Sequence, residues 1–267
     1  MAALSPSAAP RRSRRKNARS IVEEKKLTLP GTDLDFLFQR DGCRTLRMTV
    51  KADGSVRVKA PAGLPTARVF SFMRARLTWI QEKRTFFAAH RGTCVPARAG
   101  ATALYLARSF TIRPVPARKN AEARLAGRFL ELPCLCRGAD AEADAGAVER
   151  AFRRWQKNMA QLVLGRRLAR MERLARSVFN DDRHVSSLTV RSLKRRWGSC
   201  SARGEITLAV QLIAMPLPLI DYVLCHELCH LRAMNHGPRF HALLLALLPD
   251  AKMRERRIHI WGLEHPR

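Results

Sequence analysis

The pentapeptide HELCH, residues 226–230, constrains the fold more than any other feature of this 267-residue chain. In an α-helix, residues four apart lie one turn above each other on the same face. Both imidazoles of the pentapeptide can therefore bind one metal ion if this segment is helical. Apolar residues precede the pentapeptide, and Pro216 or Pro218 suits the first turn of a helix. The sequence thus predicts a buried helix that carries two metal ligands.

A third metal ligand is expected shortly after this helix. His236 follows His230 by six residues, and Asn235 tolerates the left-handed conformation that ends a helix and turns the chain back. His236 is therefore the favoured third ligand, with His241, Glu264 and other C-terminal carboxylates as alternatives. Three protein ligands and one open position are typical of a catalytic zinc site, so Zn²⁺ is the predicted cofactor.

Glu227 is the predicted catalytic residue. It is adjacent to the first ligand, so it can lie beside the metal without binding it, which is how HExxH sites place a general base. Zinc acidifies water to near neutrality, and Glu227 would accept the proton as the water attacks a carbonyl. The sequence therefore predicts a zinc-dependent hydrolase, with a metallopeptidase as the leading hypothesis. Tyr222, Arg239 and His241 are candidates for a residue that assists the transition state.

The pattern of apolar residues divides the chain into three regions. Residues 1–30 are rich in Arg and poor in large apolar side chains, which predicts a disordered basic tail. Residues 31–140 are predicted to form a β-rich subdomain with one helix, and residues 141–267 a zincin-like catalytic domain. The predicted fold class is α+β, with an antiparallel N-terminal β-rich subdomain followed by the domain that contains the HELCH helix.

Individual elements follow from the same pattern. Alternating stretches in residues 33–61, with Asp-Gly turns, predict three strands of an antiparallel meander. Helical spacing over residues 66–90 predicts one amphipathic helix with Thr66 at its N-cap. The segments ALYLA, FTIRPV and RFLELPC predict three further strands, and residues 147–179 the longest helix. A Gly- and Ala-rich stretch at residues 138–146 separates the last of these strands from the long helix.

The cysteines and the lengths of the apolar runs indicate where in the cell the protein is expected. Seven cysteines, an odd number in a chain without a recognisable secretory leader, predict free thiols in a reducing compartment. No apolar run approaches the ~20 residues of a membrane-spanning helix. We therefore expect a cytoplasmic protein without membrane association. Cys225 and Cys229 lie about 100° around the predicted helix from the histidines, which predicts small buried hydrophobic residues rather than ligands.

The charge of the chain bears on its partners. Fifty Lys and Arg residues against 22 Asp and Glu give a formal net charge of +28. Such an excess attracts polyanions, so a nucleic acid or nucleotide is a candidate partner besides a peptide or protein substrate, although plain surface charge explains the excess equally well. Two alternative functions stay open: a metal-dependent nucleotide hydrolase that binds phosphates through Lys194, Arg195 and Arg196, and a DNA-associated protein with a structural zinc.

Motifs around the pentapeptide resemble those of a known family. The sequence WGSCS at residues 197–201 is followed by a glycine turn, the strand-like EITLAV, DYV before HELCHL, and NH-x-x-x-F from Asn235. This arrangement resembles the YgjP-like metallopeptidases, relatives of the SprT-like group. The similarity covers roughly residues 188–261, and a weaker similarity extends through the N-terminal strands and Trp79-Ile80.

The resemblance implies a fold and a set of site residues. It implies an α+β zincin domain in which the EITLAV strand, residues 205–210, borders the cleft and can pair with an extended substrate. The family's metal ligands correspond to His226, His230 and His236. The family's catalytic glutamate corresponds to Glu227.

The chain departs from the family pattern at two places. Ala209 stands where relatives tend to have Asn, and NHGPRFH, residues 235–241, replaces the more usual NHS-x-x-FW. The wall of the cleft near His241 is therefore expected to differ from that of relatives. Trp197 and Gly198 are interpreted as structural residues.

Overall fold

The computed structural model describes residues 24–92, 96–116, 121–134 and 145–266. The chain divides into two compact units, Met1–Arg91 and Gly92–Arg267. The predicted boundary near residue 140 lies inside the second unit, because the helix that follows it packs on the sheet that precedes it. Residues 11–16, the Arg-rich centre of the predicted basic tail, lie outside the described residues. None of the described helices is both long enough and apolar enough to span a bilayer.

The first unit contains a four-stranded sheet. Its order is β1-β2-β4-β3, formed by β1 (Glu24–Thr28), β2 (Asp35–Asp41), β3 (Arg47–Val50) and β4 (Val56–Pro61). The predicted antiparallel-rich sheet is confirmed, but the simple meander is wrong because β2 and β4 are parallel. β3 and β4 form an antiparallel hairpin with Gly54 at φ 82° in its turn, which leaves β3 at the edge. β1 falls within the predicted basic tail.

Two helices follow where one was predicted. They are α1 (Thr66–Arg74) and α2 (Leu77–Ala89). The interruption lies at Arg76, whose φ of −124° and ψ of 13° depart from helical values. Pro65 rather than Thr66 is the N-cap residue of α1. The two helices bury their apolar faces in the core of the sheet through Val69, Met73 and Ile80.

The second unit begins with another four-stranded sheet. Its order is β5-β6-β8-β7, formed by β5 (Thr102–Tyr105), β6 (Arg108–Pro116), β7 (Arg124–Ala126) and β8 (Phe129–Cys134). The three predicted strands correspond to β5, β6 and β8, whereas β7 has only three residues and shows no alternation. Helix α3 (Ala145–Phe179) confirms the predicted long helix. It packs on this sheet through Trp155 and reaches the next core through Leu164 and Leu168.

A three-stranded sheet, a 3-10 helix (Val210–Ala214) and three α-helices complete the described part of the second unit. The sheet has the order β10-β11-β9, and its strands are β9 (Ser187–Arg191), β10 (Gly198–Cys200) and β11 (Glu205–Ala209). The helices are α4 (Leu217–His230), α5 (Pro238–Leu247) and α6 (Ala251–Glu264). β11, the EITLAV strand, pairs with β10 on one side and β9 on the other. The implied pairing of a substrate with this strand is therefore wrong, because both of its edges are occupied.

Candidate active site

The HELCH pentapeptide lies in the buried helix α4, as predicted. Pro216 is its N-cap residue and Pro218 lies in its first turn. Arg167 of α3 donates from Nε to Asp221 Oδ1 at 2.9 Å, and its second guanidinium nitrogen donates to the other carboxylate oxygen. Such a two-point ion pair opposes sliding and rotation of α4 against α3. The orientation of α4 is thus fixed from its N-terminal half.

The structure brings the three predicted histidine ligands together. His226 and His230 lie one turn apart on α4 and His236 lies after the helix, with a nitrogen of each ring within 4.8 Å of the others. The Nε2 atoms of His236 and His226 are 3.0 Å apart. Two nitrogens on one tetrahedral zinc stand about 3.3 Å apart, given Zn–N bonds of about 2.0–2.1 Å. The donor set therefore fits a tetrahedral metal ion with one position left for another ligand.

Two neighbours orient these rings. His230 Nδ1 donates to the carbonyl oxygen of Ala233 at 3.0 Å, which leaves its Nε2 lone pair for a metal. The ring centroid of the buried Phe240 lies 4.8, 4.8 and 4.6 Å from those of His226, His230 and His236. The NH-x-x-x-F motif contains Phe240, but only the packing of α5 against α4 shows that one ring contacts all three imidazoles.

Burial keeps two of these imidazoles neutral. It lowers the pKa of His226 to about 4, and the neighbouring His230, His236 and His241 add to the shift. Burial also lowers the pKa of His230, although the hydrogen bond to Ala233 opposes this shift. Neutral imidazoles offer lone pairs to a metal, so His226 and His230 are in the metal-binding form at neutral pH.

Glu227 is a buried carboxylate with an unpartnered oxygen. The residue is 4% exposed, and its Oε2 has no hydrogen-bond partner among the described residues. Burial raises the pKa of Glu227 to about 7, although the charge of Arg196 opposes the shift. A buried carboxylate is costly unless a cation or polar ligand contacts it. This environment suits a general base, whose pKa should lie near the operating pH.

Gly198 on β10 leaves the space that the Glu227 side chain occupies. A Cβ atom at position 198 would lie 2.6 Å from Glu227 Oε1 and 2.9 Å from its Cγ. The sequence predicts a structural role for Gly198. The structure places this residue against the predicted catalytic residue, and the missing side chain permits the contact.

Gly198→Ala is expected to lower kcat/KM about 100-fold, because the methyl group must displace Glu227 and a shift of about 1 Å can have that effect. Metal content should stay at the wild-type level, since the methyl group meets Glu227 and not a histidine. Gly165→Ala is the matched control, because a Cβ atom there meets only Leu188 at 3.9 Å. Wild-type kinetics in Gly198→Ala would show that the position of Glu227 is not critical.

A cleft of about 620 Å³ lies beside His226 and Glu227. β10 and α4 form part of its wall, and α6 contributes Glu255, Arg256 and His259. These three residues lie more than twenty positions beyond the pentapeptide, and no local pattern in the sequence marks them as the wall of a cleft. Only the packing of α6 against α4 brings them to the site.

Of the three candidates for a transition-state residue, Tyr222 lines the cleft. Arg239 and His241 are exposed on α5 and do not line it. The rings of Tyr222 and His226 have centroids 6.1 Å apart. Burial raises the pKa of Tyr222 to about 12, and Glu255 adds to the shift. Its hydroxyl group therefore keeps its proton and can donate a hydrogen bond.

Cys225 and Cys229 are fully buried on α4, which confirms their prediction as small hydrophobic residues. Burial raises the pKa of each thiol to about 12. Neither sulfur belongs to the cluster of converging donor atoms that the described residues form, so the three imidazoles are the candidate donor set.

An ion pair holds the turn that follows α4. Arg232 donates from Nε to Asp181 Oδ2 at 2.8 Å and from a second nitrogen to Oδ1. Its guanidinium lies 4.6 Å from the centre of the Phe179 ring. Arg183 donates from Nη1 to the carbonyl oxygen of Leu231 at 2.7 Å. The loop after α3 thus positions the turn from which the third histidine reaches the site.

Asp181→Asn is expected to lower the free energy of unfolding by about 1–3 kcal/mol, because buried Arg232 loses its charged partner while solvent screens part of the pair. Burial raises the pKa of Asp181, but hydrogen bonds from Arg232 and Arg183 outweigh it and the pKa falls below its usual value. The contribution of the Asp181 carboxylate to the free energy of unfolding is therefore present above the unfolded-state pKa of about 3.9. It is lost as the pH falls through the lowered pKa of the folded state.

Urea unfolding at several pH values would measure this effect. The difference in the free energy of unfolding between wild type and Asp181→Asn should shrink in acid. Asp182→Asn changes the exposed neighbouring residue, and this control should alter the free energy of unfolding little. A difference that stays constant down to the lowest pH would contradict the role given to the carboxylate of Asp181.

Comparison with known proteins gives one family match and two similar structures. A family model described as YgjP-like, metallopeptidase domain, matches residues 44–260. No curated protein matches the chain. The metallopeptidase zymogen of Pyrococcus abyssi abylysin is 27% identical, with a TM-score of 0.33 over 37% of this chain and 97% of its own. The metallopeptidase zymogen of Methanocaldococcus jannaschii jannalysin is 18% identical, with a TM-score of 0.30 over 34% of this chain and 93% of its own.

Proposed function

This chain belongs to the YgjP-like metallopeptidase family, and from that premise we propose that its active site is the histidine cluster of α4 and the turn after it. The family match confirms the resemblance found in the sequence and makes the chain a metal-dependent peptidase. In our proposal His226, His230 and His236 bind the metal ion. The ion is Zn²⁺, and Glu227 is the general base.

The observation that carries this proposal is a buried carboxylate beside three converging imidazole nitrogens. The nitrogens lie within 4.8 Å of one another, and the adjacent residue Glu227 is buried with one oxygen unpartnered among the described residues. Imidazole donors suit zinc and other transition metals, whereas magnesium and calcium favour oxygen donors. Three protein ligands with an open position are typical of catalytic zinc.

The residues of the proposed active site have different roles in peptide hydrolysis. Zinc, when bound, supplies a Lewis acid that polarises a carbonyl group and acidifies water. Glu227 accepts the proton of the attacking water and passes it to the leaving amine. Burial raises the pKa of Glu227, which makes the carboxylate a better proton acceptor than an exposed glutamate. Tyr222 lines the cleft and donates a hydrogen bond to the oxygen on which negative charge develops.

The peptide substrate is expected to pair with β10. This strand is at the edge of its sheet in the described part of the chain, and Gly198 at its start contacts Glu227. A peptide extended along that edge would add a strand to the sheet and pass the general base. The expected partner is therefore a peptide or protein in extended conformation.

The cytoplasmic location and nucleic-acid binding by the basic surface stay predictions. None of the described cysteines, Cys43, Cys134, Cys200, Cys225 and Cys229, forms a disulfide bond. Cysteines outside disulfide bonds are typical of a reducing compartment, which supports the location.

A second candidate function is nucleotide hydrolysis at the same site. Arg196, one of the three cations proposed to bind phosphates, lines the cleft beside Glu227, and Arg256 of α6 lines it as well. Guanidinium groups suit phosphoryl oxygens. Glu255 also lines the cleft, and its carboxylate repels a highly charged anion. A peptide is therefore favoured over a nucleotide as the substrate.

Metal analysis and a substrate panel would test the proposal. Mass spectrometry of the purified protein is expected to find one zinc ion per chain, and the same preparation should cleave peptides without releasing phosphate from nucleotides. Phosphate release with no peptide cleavage would replace the peptidase with the second candidate. Protein that binds no zinc, even when zinc is added, would contradict the proposed metal site.

A further inference from the structure

A second cavity, of about 420 Å³, lies in the same unit as the catalytic cleft. Phe152, Trp197 and Trp261 line it with aromatic rings, and Gln156 and Gln211 add two amide groups. We call it the aromatic cavity. Its volume lies within the ~300–1,000 Å³ of small-molecule sites, and its lining combines apolar rings with a few polar groups, as such sites do.

Trp197 lines both the aromatic cavity and the catalytic cleft. Its carbonyl oxygen accepts a hydrogen bond from Ala209 N–H at 2.8 Å, and the next residue, Gly198, contacts Glu227. A Cβ atom at Gly262 of α6 would lie 3.5 Å from the Trp197 ring. The backbone of Trp197 is therefore held by β11 and its indole lies against α6, and the aromatic cavity borders the catalytic cleft at this residue.

We propose that the aromatic cavity is a specificity subsite for an aromatic side chain of the peptide substrate, an inference that rests on the proposed peptidase function. An extended peptide advances about 3.3 Å per residue. A substrate side chain within a few residues of the bond to be cleaved can therefore extend past the Trp197 ring into the aromatic cavity. The shared wall makes the two cavities parts of one substrate-binding surface.

The lining of the aromatic cavity selects the chemistry of its occupant. Trp261 and His265 stack with centroids 3.9 Å apart and an interplanar angle of 17°, which forms a flat wall. Another aromatic ring packs well against such a wall, edge-on or offset. The Gln156 and Gln211 amides can bond a tyrosine hydroxyl or a tryptophan N–H. Among the described residues that line the cavity, only His265 is ionisable, so charged side chains are disfavoured there.

The test uses zinc-loaded full-length enzyme and matched peptides. Each pair differs at one position, Trp or Tyr against Ala, and the position is scanned on both sides of the cleaved bond. Wild type is expected to prefer the aromatic peptide by about 10- to 100-fold in kcat/KM at one position, the range that one apolar contact gives in enzyme pockets. At the other positions the ratio should be near one.

Two variants and one control separate the subsite from general effects. Thr102→Trp places a ring in the cavity from the exposed start of β5, where strand geometry accepts aromatic residues, and should remove most of the preference. Trp261→Leu removes part of the flat wall and should reduce it. Thr49→Trp is the matched control, an exposed strand threonine outside the cavity, and should keep the wild-type ratio. Zinc content and melting temperature verify that each variant is folded.

Loss of the preference in Thr102→Trp, with the ratio kept in Thr49→Trp, would support the subsite. Equal cleavage of aromatic and alanine peptides by wild type, or an unchanged ratio in folded Thr102→Trp, would overturn it while leaving the peptidase function intact. Absence of any peptide cleavage by zinc-loaded wild type would overturn the function and the subsite together.

Discussion

Glu227→Gln is expected to lower kcat/KM for peptide hydrolysis by about 10²–10⁴-fold, the usual contribution of general acid–base catalysis. The amide has nearly the shape of the carboxylate but cannot accept the proton of the attacking water. Glu227 is buried and its Oε2 has no partner among the described residues. Replacing a buried charge with a neutral amide should therefore leave the fold intact.

Kinetics and metal analysis on the same preparations would check this result. The Glu227→Gln variant should retain its metal, because the proposed ligands are the three imidazoles. Glu255→Gln, which changes another carboxylate that lines the cleft, should affect kcat/KM far less. Full activity in the metal-loaded Glu227→Gln variant would remove this residue from the mechanism.

His230→Ala is expected to abolish stoichiometric metal binding and, with it, hydrolysis. Loss of a residue that only supports a ligand already costs about 10–100-fold in metal affinity, and the loss of a ligand should cost more. The substitution also removes the hydrogen bond to Ala233 and the ring packed against Phe240. Mass spectrometry after dialysis, in parallel with a peptide assay, would measure both losses.

His241→Ala is the matched control for this prediction. His241 was the alternative third ligand in the sequence analysis, but it is exposed on α5 and outside the cluster of nitrogens. The His241→Ala variant should therefore keep its metal. Added zinc at 100 times the Kd should stabilise the metal-free form of wild type and His241→Ala by about 2.7 kcal/mol. The same concentration should give little stabilisation of His230→Ala, and full zinc binding by His230→Ala would contradict the proposed ligand set.

The features that the sequence predicted correctly depend on residues close together in the chain. The HELCH helix follows from its i, i+4 spacing and its apolar neighbours, and the long helix α3 from its continuous periodicity. His236 lies near the other two histidines because a short turn limits its reach. The buried cysteines follow from their angular position on the same helix.

The features that it did not predict depend on contacts between distant segments. The parallel pairing of β2 with β4 places β4 between two strands that precede it in the chain, which local alternation cannot reveal. Gly198 is a neighbour of Glu227 only because β10 packs on α4. Glu255, Arg256 and His259 reach the cleft only through the packing of α6.

By itself, the sequence determined the α+β class, the helix that carries the pentapeptide, and the residues proposed as metal ligands and base, because local periodicity and short-range geometry dictate them. The tertiary structure alone decided which residues surround those groups: the Phe240 ring against the imidazoles, the room at Gly198, the walls of the cleft, and the strand that lies at the sheet edge in the described part of the chain. These contacts join segments far apart in the chain, and their formation depends on how side chains fill a common core rather than on any local pattern.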